Sequence, residues 1–413
     1  MMHRRRFLGA GVAGLMLPFG PGAWMARATA PLGEDNRRLI VIFLRGAVDG
    51  LNVVVPYGDD AYYAARRSIA IAPPGHGDGA LDLDGHFGLH PALASLLPLW
   101  QAGKLGFVQG CGSPDPTRSH FDAQLFVENG TPGQATTPDG WMNRLLAILP
   151  GVPGPTRAIA FGPQIPRILA GPQAVAMMAL GAAAGRPLAI DRPEVALTFS
   201  RLYAGTDPIS RIFQDGVKSR QQMQADLAAD DGEQRVADGG APLPTGFPAD
   251  AARLAHMMRQ DGGIRLAFFD LGGWDTHVNQ GGASGQLANR LRPLGDGLAA
   301  LAGGLGAAFA DSLILVVSEF GRTLRENGNG GTDHGHGTVL WALGGGVAGG
   351  KVHGIWPGLS PSQLYQQRDL AVTTDFRSAI GPAVVRHLRL PETALARLFP
   401  GAPALGRIAL MRT

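Results

Sequence analysis

The sequence has one cysteine in 413 residues, Cys111. An internal disulfide and a thiolate zinc cluster each need more than one, so both are excluded. Cys111 follows an apolar run at 104–110 and is expected to be a small buried residue. Charge is sparse as well, at 17%, and its positive excess is local. Removing residues 1–28 takes away four arginines and no acid, which leaves 32 basic against 33 acidic residues and turns a formal charge of +3 into −1. No case for nucleic acid or an acidic membrane surface survives that balance. A GxGxxG after a predicted strand and any haem or iron–sulfur spacing are also missing, which counts against an oxidoreductase. There is no internal repeat.

The arginines at the start have their own meaning. Arg4-Arg5-Arg6-Phe7-Leu8 precedes an apolar, Gly/Ala-rich run to Phe19, and Ala26-Arg27-Ala28 offers small residues for cleavage. This is the layout of a twin-arginine export signal over residues 1–28, so the mature chain, 29–413, is expected in the periplasm or outside the cell. The twin-arginine translocation machinery is the implied partner. The apolar run is shorter than the roughly twenty residues a bilayer crossing takes, so no stable transmembrane anchor is expected.

What is abundant is glycine, 61 residues, and proline, 31, in a chain that is 45% hydrophobic. That mixture favours a globular fold with many turns and long ordered loops. The length allows one large α/β domain with insertions, or two domains. Continuous β-branched or apolar runs predict strands buried on both faces at 38–44 (RLIVIFL), 105–109, 264–271 and 313–317, with a further one at 157–161. Helical spacing is read at 91–102, 121–128, 141–149, 251–258 with Asp250 as N-cap, 287–309, and 372–388 with Asp375 as N-cap. Residues 56–88 read as ordered loop. Residues 163–205 are Ala/Gly/Pro-rich and give no role, 193–229 carry a helical pattern, and 230–248 read as a surface connection or flexible loop.

Chemistry-bearing residues recur just past the strands. Asp49 follows the first and is equally well a turn residue before Gly50. Ser119 sits near a helix start, as an N-cap or as a nucleophile among free backbone N–H groups. Asp275 and His277 follow two glycines that let the backbone turn sharply. Glu319 ends the run at 313–317, and Asp333, His334 and His336 lie on the loop beyond it. Oxygen and imidazole donors of this kind suit zinc, manganese or iron rather than a sulfur site. Two divalent ions with a hydroxyl between them would polarise a phosphoryl or sulfuryl oxygen and activate the nucleophile. Arg118 and Arg322 are placed to take non-bridging oxygens, and His120 to protonate the leaving group or contact a metal.

The twin-arginine start and the segments FLRGAVDGLNVVVPYGD, GSPDPTRSHFDAQ, FDLGGWDTH and SEFGRTLRENGNGGTDHGHGT resemble the secreted bacterial family catalogued as domain of unknown function 1501, over essentially the whole mature chain. That family is grouped with the alkaline phosphatase and sulfatase superfamily. The resemblance implies an alkaline phosphatase-like α/β sandwich with a mostly parallel central sheet flanked by helices. It further implies divalent metal, with zinc, manganese, magnesium and calcium all open, and a small-molecule or glycan ester as substrate. Asp49, Ser119, Asp275 and His277 match the superfamily's acid, nucleophile and mid-chain pair. Its late Asp-His-Gly triplet matches in two registers: on Glu319, with His334 or His336 reaching in, or on Asp333-His334-Gly335 with His336 as the last ligand. The expectation is an exported metal-dependent phosphatase- or sulfatase-type hydrolase. The alternative is a non-catalytic envelope protein that keeps the fold for binding or assembly.

Overall fold

The computed structural model describes residues 36–151, 153–162, 164–181, 193–211, 214, 241–402 and 408–412. The expected export signal, the part of the expected connection at 230–240, and residues 212, 213 and 215–229 of the helical pattern lie outside them. Among the described residues a nine-stranded sheet runs through the molecule in the order β11-β5-β10-β9-β1-β8-β6-β7, with β12 also paired to β5. The strands are β1 (Arg38–Leu44), β5 (Leu105–Gly112), β6 (Ala158–Phe161), β7 (Ala176–Met178), β8 (Leu266–Leu271), β9 (Ser312–Ser318), β10 (Thr338–Gly344), β11 (Lys351–His353) and β12 (Thr374–Asp375). Short strands β2 (Val54–Val55), β3 (Leu81–Asp82) and β4 (Gly88–Leu89) form a separate sheet.

The runs without polar alternation became central strands because both of their faces are covered. In β1, Ile40, Ile42 and Leu44 enter one core, while Leu39, Val41 and Phe43 enter the other. Helices α3 (Phe247–Gln260) and α4 (Gln286–Leu305) close the first face, and α2 (Trp141–Ile148) and α5 (Phe376–His387) close the second. The result is the expected three-layer α/β sandwich with a mostly parallel sheet. Helix α4 with the turn after it, Gln286–Asp311, is long and apolar enough to cross a membrane by length and composition. Here Leu287, Leu291, Leu294, Leu298, Leu301 and Leu305 are instead buried in the first core.

Register places the site. β9, β1, β8, β6 and β7 are parallel, and Leu44 pairs with both Ser318 and Leu271. The loops after β1, β8 and β9 therefore leave the sheet level with one another. β10 is antiparallel to both β9 and β5, with Thr338 opposite Cys111. The segment before β10 and the segment after β5 thus reach the same rim, which is the carboxyl edge where open α/β sheets collect functional groups.

Several local expectations change. Helix α3 begins at Phe247, so 244–260 is ordered, and Pro248 lies in the first turn, where its missing N–H is no loss. Asp250 is consequently inside the helix rather than its cap, and its Oδ1 accepts from Gly181 N at 3.2 Å. Asp375 does cap α5, accepting from Arg377 N at 2.9 Å. Within 56–88 there are a helix, Asp60–Ala65, the two-residue strand β3 and the start of β4, elements too short to show a period. Phe269 of β8 stacks on Phe161 at 4.0 Å and meets Phe247 edge-on at 5.3 Å. Phe269→Ala is expected to lower unfolding free energy by about 3–5 kcal/mol in urea titration; a change below ~1 kcal/mol would show that this stack does not hold the helix layer to the sheet.

Candidate metal centre

Glu319 is the first residue after β9 and is fully buried. Its Oε1 accepts from Gly46 N at 2.8 Å and Gln124 Nε2 at 3.0 Å, and lies 2.8 Å from His120 Nδ1. Gly46 adopts φ +110°, and a Cβ there would stand 2.7 Å from Asp275 N, so only glycine lets the β1 loop pass under the β8 loop. Helix α1 (His120–Asn129) carries His120 in its first turn, capped by Ser119, whose Oγ accepts from Asp122 N at 3.5 Å.

His334 stands at the centre. Its Nε2 lies 3.0 Å from His120 Nε2, 2.9 Å from His277 Nε2 and 3.3 Å from Asp275 Oδ1. Asp275 Oδ1 is also 2.9 Å from His277 Nε2, and Asp275 Oδ2 is 3.6 Å from His120 Nε2. Donor atoms of His120, Asp275 and His334 all fall within 4.8 Å of one another. His277 joins from the solvent side.

The outer ring nitrogens fix what the inner ones can be. His120 Nδ1 faces the Glu319 carboxylate, His334 Nδ1 lies 3.0 Å from the Arg118 carbonyl, and His277 Nδ1 lies 3.2 Å from Asp333 Oδ1. All three partners are acceptors, which assigns the proton to Nδ1 in each neutral ring and leaves three Nε2 lone pairs converging on a carboxylate. Such an arrangement repels itself unless a cation, proton or metal, lies among the four groups. A tetrahedral zinc with bonds of about 2.0–2.1 Å spaces its donors by roughly 3.3 Å, close to the separations seen. Imidazoles backed by carboxylate or carbonyl acceptors are also the usual support around a metal. The residues therefore fit a divalent ion. Side-chain exposures of 13% for His120, 23% for Asp275, 27% for His334 and 39% for His277 make this an open site rather than a sealed structural one.

Without a metal the same acids favour a proton on His120. Burial opposes charge on His120, but Asp275 and Glu319 outweigh it and raise its pKa to about 9. Burial would raise Asp275, yet His120, His334 and Arg322 hold it below the usual carboxylate range. Glu319 is likewise lowered against its burial, by His120 and Gln124. Asn327, ahead of His277, lowers Asp333.

The other candidate residues stand elsewhere. Asp49 is buried in a two-point pair with Arg66, 2.5 and 3.0 Å, and accepts from Gln280 Nε2 at 2.6 Å, so it is not among the imidazoles. The His336 ring lies against Tyr365 at 4.4 Å, and burial lowers its pKa. Arg322 is buried and donates to Asp275 Oδ1 at 2.7 Å, to Thr332 Oγ1 and to the Thr332 carbonyl, which leaves it orienting Asp275 rather than open to a substrate. Arg118 donates to Asp369 Oδ2 at 2.6 Å and Gln366 Oε1 at 2.8 Å. Sequence reasoning did not find Arg66, Asp369 or Arg368. Arg368 donates to both Asp369 and the His334 carbonyl, so Asp369 braces His334 through two arginines. These residues lie in loops without a period, and no spacing marks them.

The family model described as "Protein of unknown function (DUF1501)" matches residues 100–399. No curated protein matches the chain. Similar solved structures include the C-terminal periplasmic domain of EcEptC from Escherichia coli in complex with Zn, at 12% identity, 80% of this chain and 76% of that one, TM-score 0.36. The lipoteichoic acid synthase LtaP from Listeria monocytogenes is 8% identical over 86% and 73%, TM-score 0.33. The PsFucS1 sulfatase from Pseudoalteromonas sp. is 13% identical over 90% and 71%, TM-score 0.36.

His120 provides a pH test. Its folded pKa lies above the ordinary 6.5, so its contribution to stability is complete below 6.5 and is lost as pH rises through about 9. Urea unfolding of chelator-treated protein is expected to show stability falling across that window, and His120→Gln to flatten the fall. An unchanged slope in the variant would exclude the pairing of His120 with Asp275 and Glu319 as its source.

Proposed function

The chain belongs to the DUF1501 family of proteins of unknown function, and we propose that it is an exported metal-dependent hydrolase acting on a phosphate or sulfate ester. One observation carries this reading: Nε2 of His120 and His334 meets the Asp275 carboxylate at an open rim, His277 Nε2 touches both Asp275 and His334, and each outer Nδ1 is held by an acceptor. His120, Asp275, His277 and His334 are the proposed ligands. A set rich in imidazole favours zinc over magnesium or calcium, which prefer oxygen. Export by the twin-arginine route is part of the proposal and rests on residues 1–28.

A bound divalent ion would polarise an ester oxygen and lower the pKa of a nearby hydroxyl. The chain's own groups do the rest. Glu319 fixes the His120 ring and Arg322 fixes Asp275, so the donors are held before any ligand arrives. Ser119 lies in the chain between two contacts to His334, the Arg118 carbonyl before it and the His120 ring after it, and its hydroxyl caps α1, accepting from Asp122 N, which supports its choice as nucleophile. Ser119 Oγ attacks phosphorus or sulfur as its proton passes to solvent water, the ester P–O or S–O bond breaks, and the departing alkoxide takes a proton back from water. Free N–H groups at the start of α1 face the oxygens of the transferred group. Water then attacks the Ser119 ester and releases phosphate or sulfate. Glu319 acts in this scheme as the positioner of His120, and His120 as a ligand rather than a proton donor.

A specific observation favours a second reading, a binding or assembly protein. Arg118, Arg322 and Asp49, expected to serve substrate or metal, are engaged with Asp369, Asp275 and Arg66. The two readings part in one experiment on the purified mature protein. Elemental analysis is expected to find one metal per chain, lost in His334→Ala. Aryl phosphates or sulfates should be turned over, with Ser119→Ala reducing the rate by roughly 10³-fold or more while metal is retained. Metal without Ser119-dependent turnover would leave the binding protein as the standing reading, and absence of metal would remove the hydrolase.

A further inference from the structure

Beside the metal centre lies a cavity of about 420 Å³, within the size range of small-molecule sites. Its walls are mostly apolar, with Ala64 of the helix Asp60–Ala65 on one side and Leu359 and Leu364 on another. Asp333 connects it to the centre. The residue lines the cavity, and its Oδ1 lies 3.2 Å from Nδ1 of His277, whose Nε2 touches Asp275 and His334. A ligand held at the imidazoles therefore has this cavity one residue away.

The charged side chains on the wall differ in what they have left to give. Glu326 Oε2 already receives Ser68 N and Oγ, both at 2.9 Å. Asp333 Oδ1 receives Asn327 Nδ2 at 3.0 Å besides facing His277. Arg368 is bound to Asp369 and to the His334 carbonyl. Arg325 is exposed, and its guanidinium has no hydrogen-bond or ion-pair partner among the described residues. Glu326 Oε1 and Asp333 Oδ2 are second oxygens of carboxylates already paired, so the one charged group of this wall with no partner at all among the described residues is the Arg325 guanidinium, which pairs best with a carboxylate, phosphate or sulfate.

We propose that this cavity receives the organic part of the ester and selects an apolar group that carries an anionic substituent of its own, held by Arg325. The assignment of the occupant rests on the hydrolase reading above, because it takes the cleaved group to lie at the imidazoles. The binding itself does not depend on metal or turnover, so the two can fail separately.

Fluorescence titration with 6-hydroxy-2-naphthoate, an apolar ring bearing a carboxylate, against the neutral 2-naphthol tests it on chelator-treated protein. The carboxylate is expected to bind about tenfold tighter than the naphthol. Arg325→Ala should erase that preference while leaving naphthol binding, and Ala64→Phe, which fills the cavity from an exposed position, should weaken both. His334→Ala should change neither. An unchanged carboxylate preference in Arg325→Ala, or unchanged binding of both probes in Ala64→Phe, overturns the proposal. Thermal unfolding of both variants guards the reading, and Arg325→Glu, on an exposed side chain, repeats the charge test. If these results hold but the protein shows no metal or turnover, the cavity stands as a binding site and only the hydrolase reading is lost.

Discussion

A carboxylate removed from water needs donors in its place, and Glu319 finds three of them on two distant parts of the chain. Gly46 supplies a backbone N–H from the β1 loop, and Gln124 and His120 reach it from α1. An unpaired buried charge is very costly, so these contacts form together or the rim does not close. Through His120 the same carboxylate sets which ring nitrogen faces outward. The geometry of the imidazole cluster is thus a consequence of how one acid at the end of β9 is satisfied.

The charges around that acid are largely internal. Arg66 with Asp49, Arg322 with Asp275, and Arg118 and Arg368 with Asp369 form pairs whose acids or bases are buried. Buried pairs of this kind hold loops in one arrangement more than they add net stability. The rim consists of long segments with little regular structure, and these pairs substitute for the ladders it lacks. They also consume the arginines that a substrate anion would otherwise meet. What is left is Arg325 and the N-terminus of α1, to which the proposed function assigns the organic part and the transferred group.

Much of the layer structure was legible. The runs at 38–44, 264–271 and 313–317 became β1, β8 and β9 because a strand covered on both faces must be apolar at every position. Ser119, Asp275, His277 and His334 stood out because each follows or precedes such a run. Less legible was which acid meets which base. Asp49 and Glu319 both follow a buried strand, yet one faces Arg66 and the other faces His120, and nothing in their spacing separates them. The start of α3 was misread because Pro248 was taken as a loop residue, although a proline in the first turn has no hydrogen bond to lose.

The sequence by itself determined the alternation of buried strands and covering helices, and the set of acids and imidazoles gathered at strand ends, since periodicity and turn chemistry are local properties. Only the tertiary structure decided that His120, Asp275 and His334 share a point with His277 beside them, that Arg322 is spent on Asp275, and that Asp49 and His336 turn elsewhere. That choice depends on partners such as Arg66, Gln280 and Asp369, which lie 17 to 251 residues away along the chain from the groups they hold. Long-range pairing of charges leaves no pattern in neighbouring residues, so the fold alone could settle it.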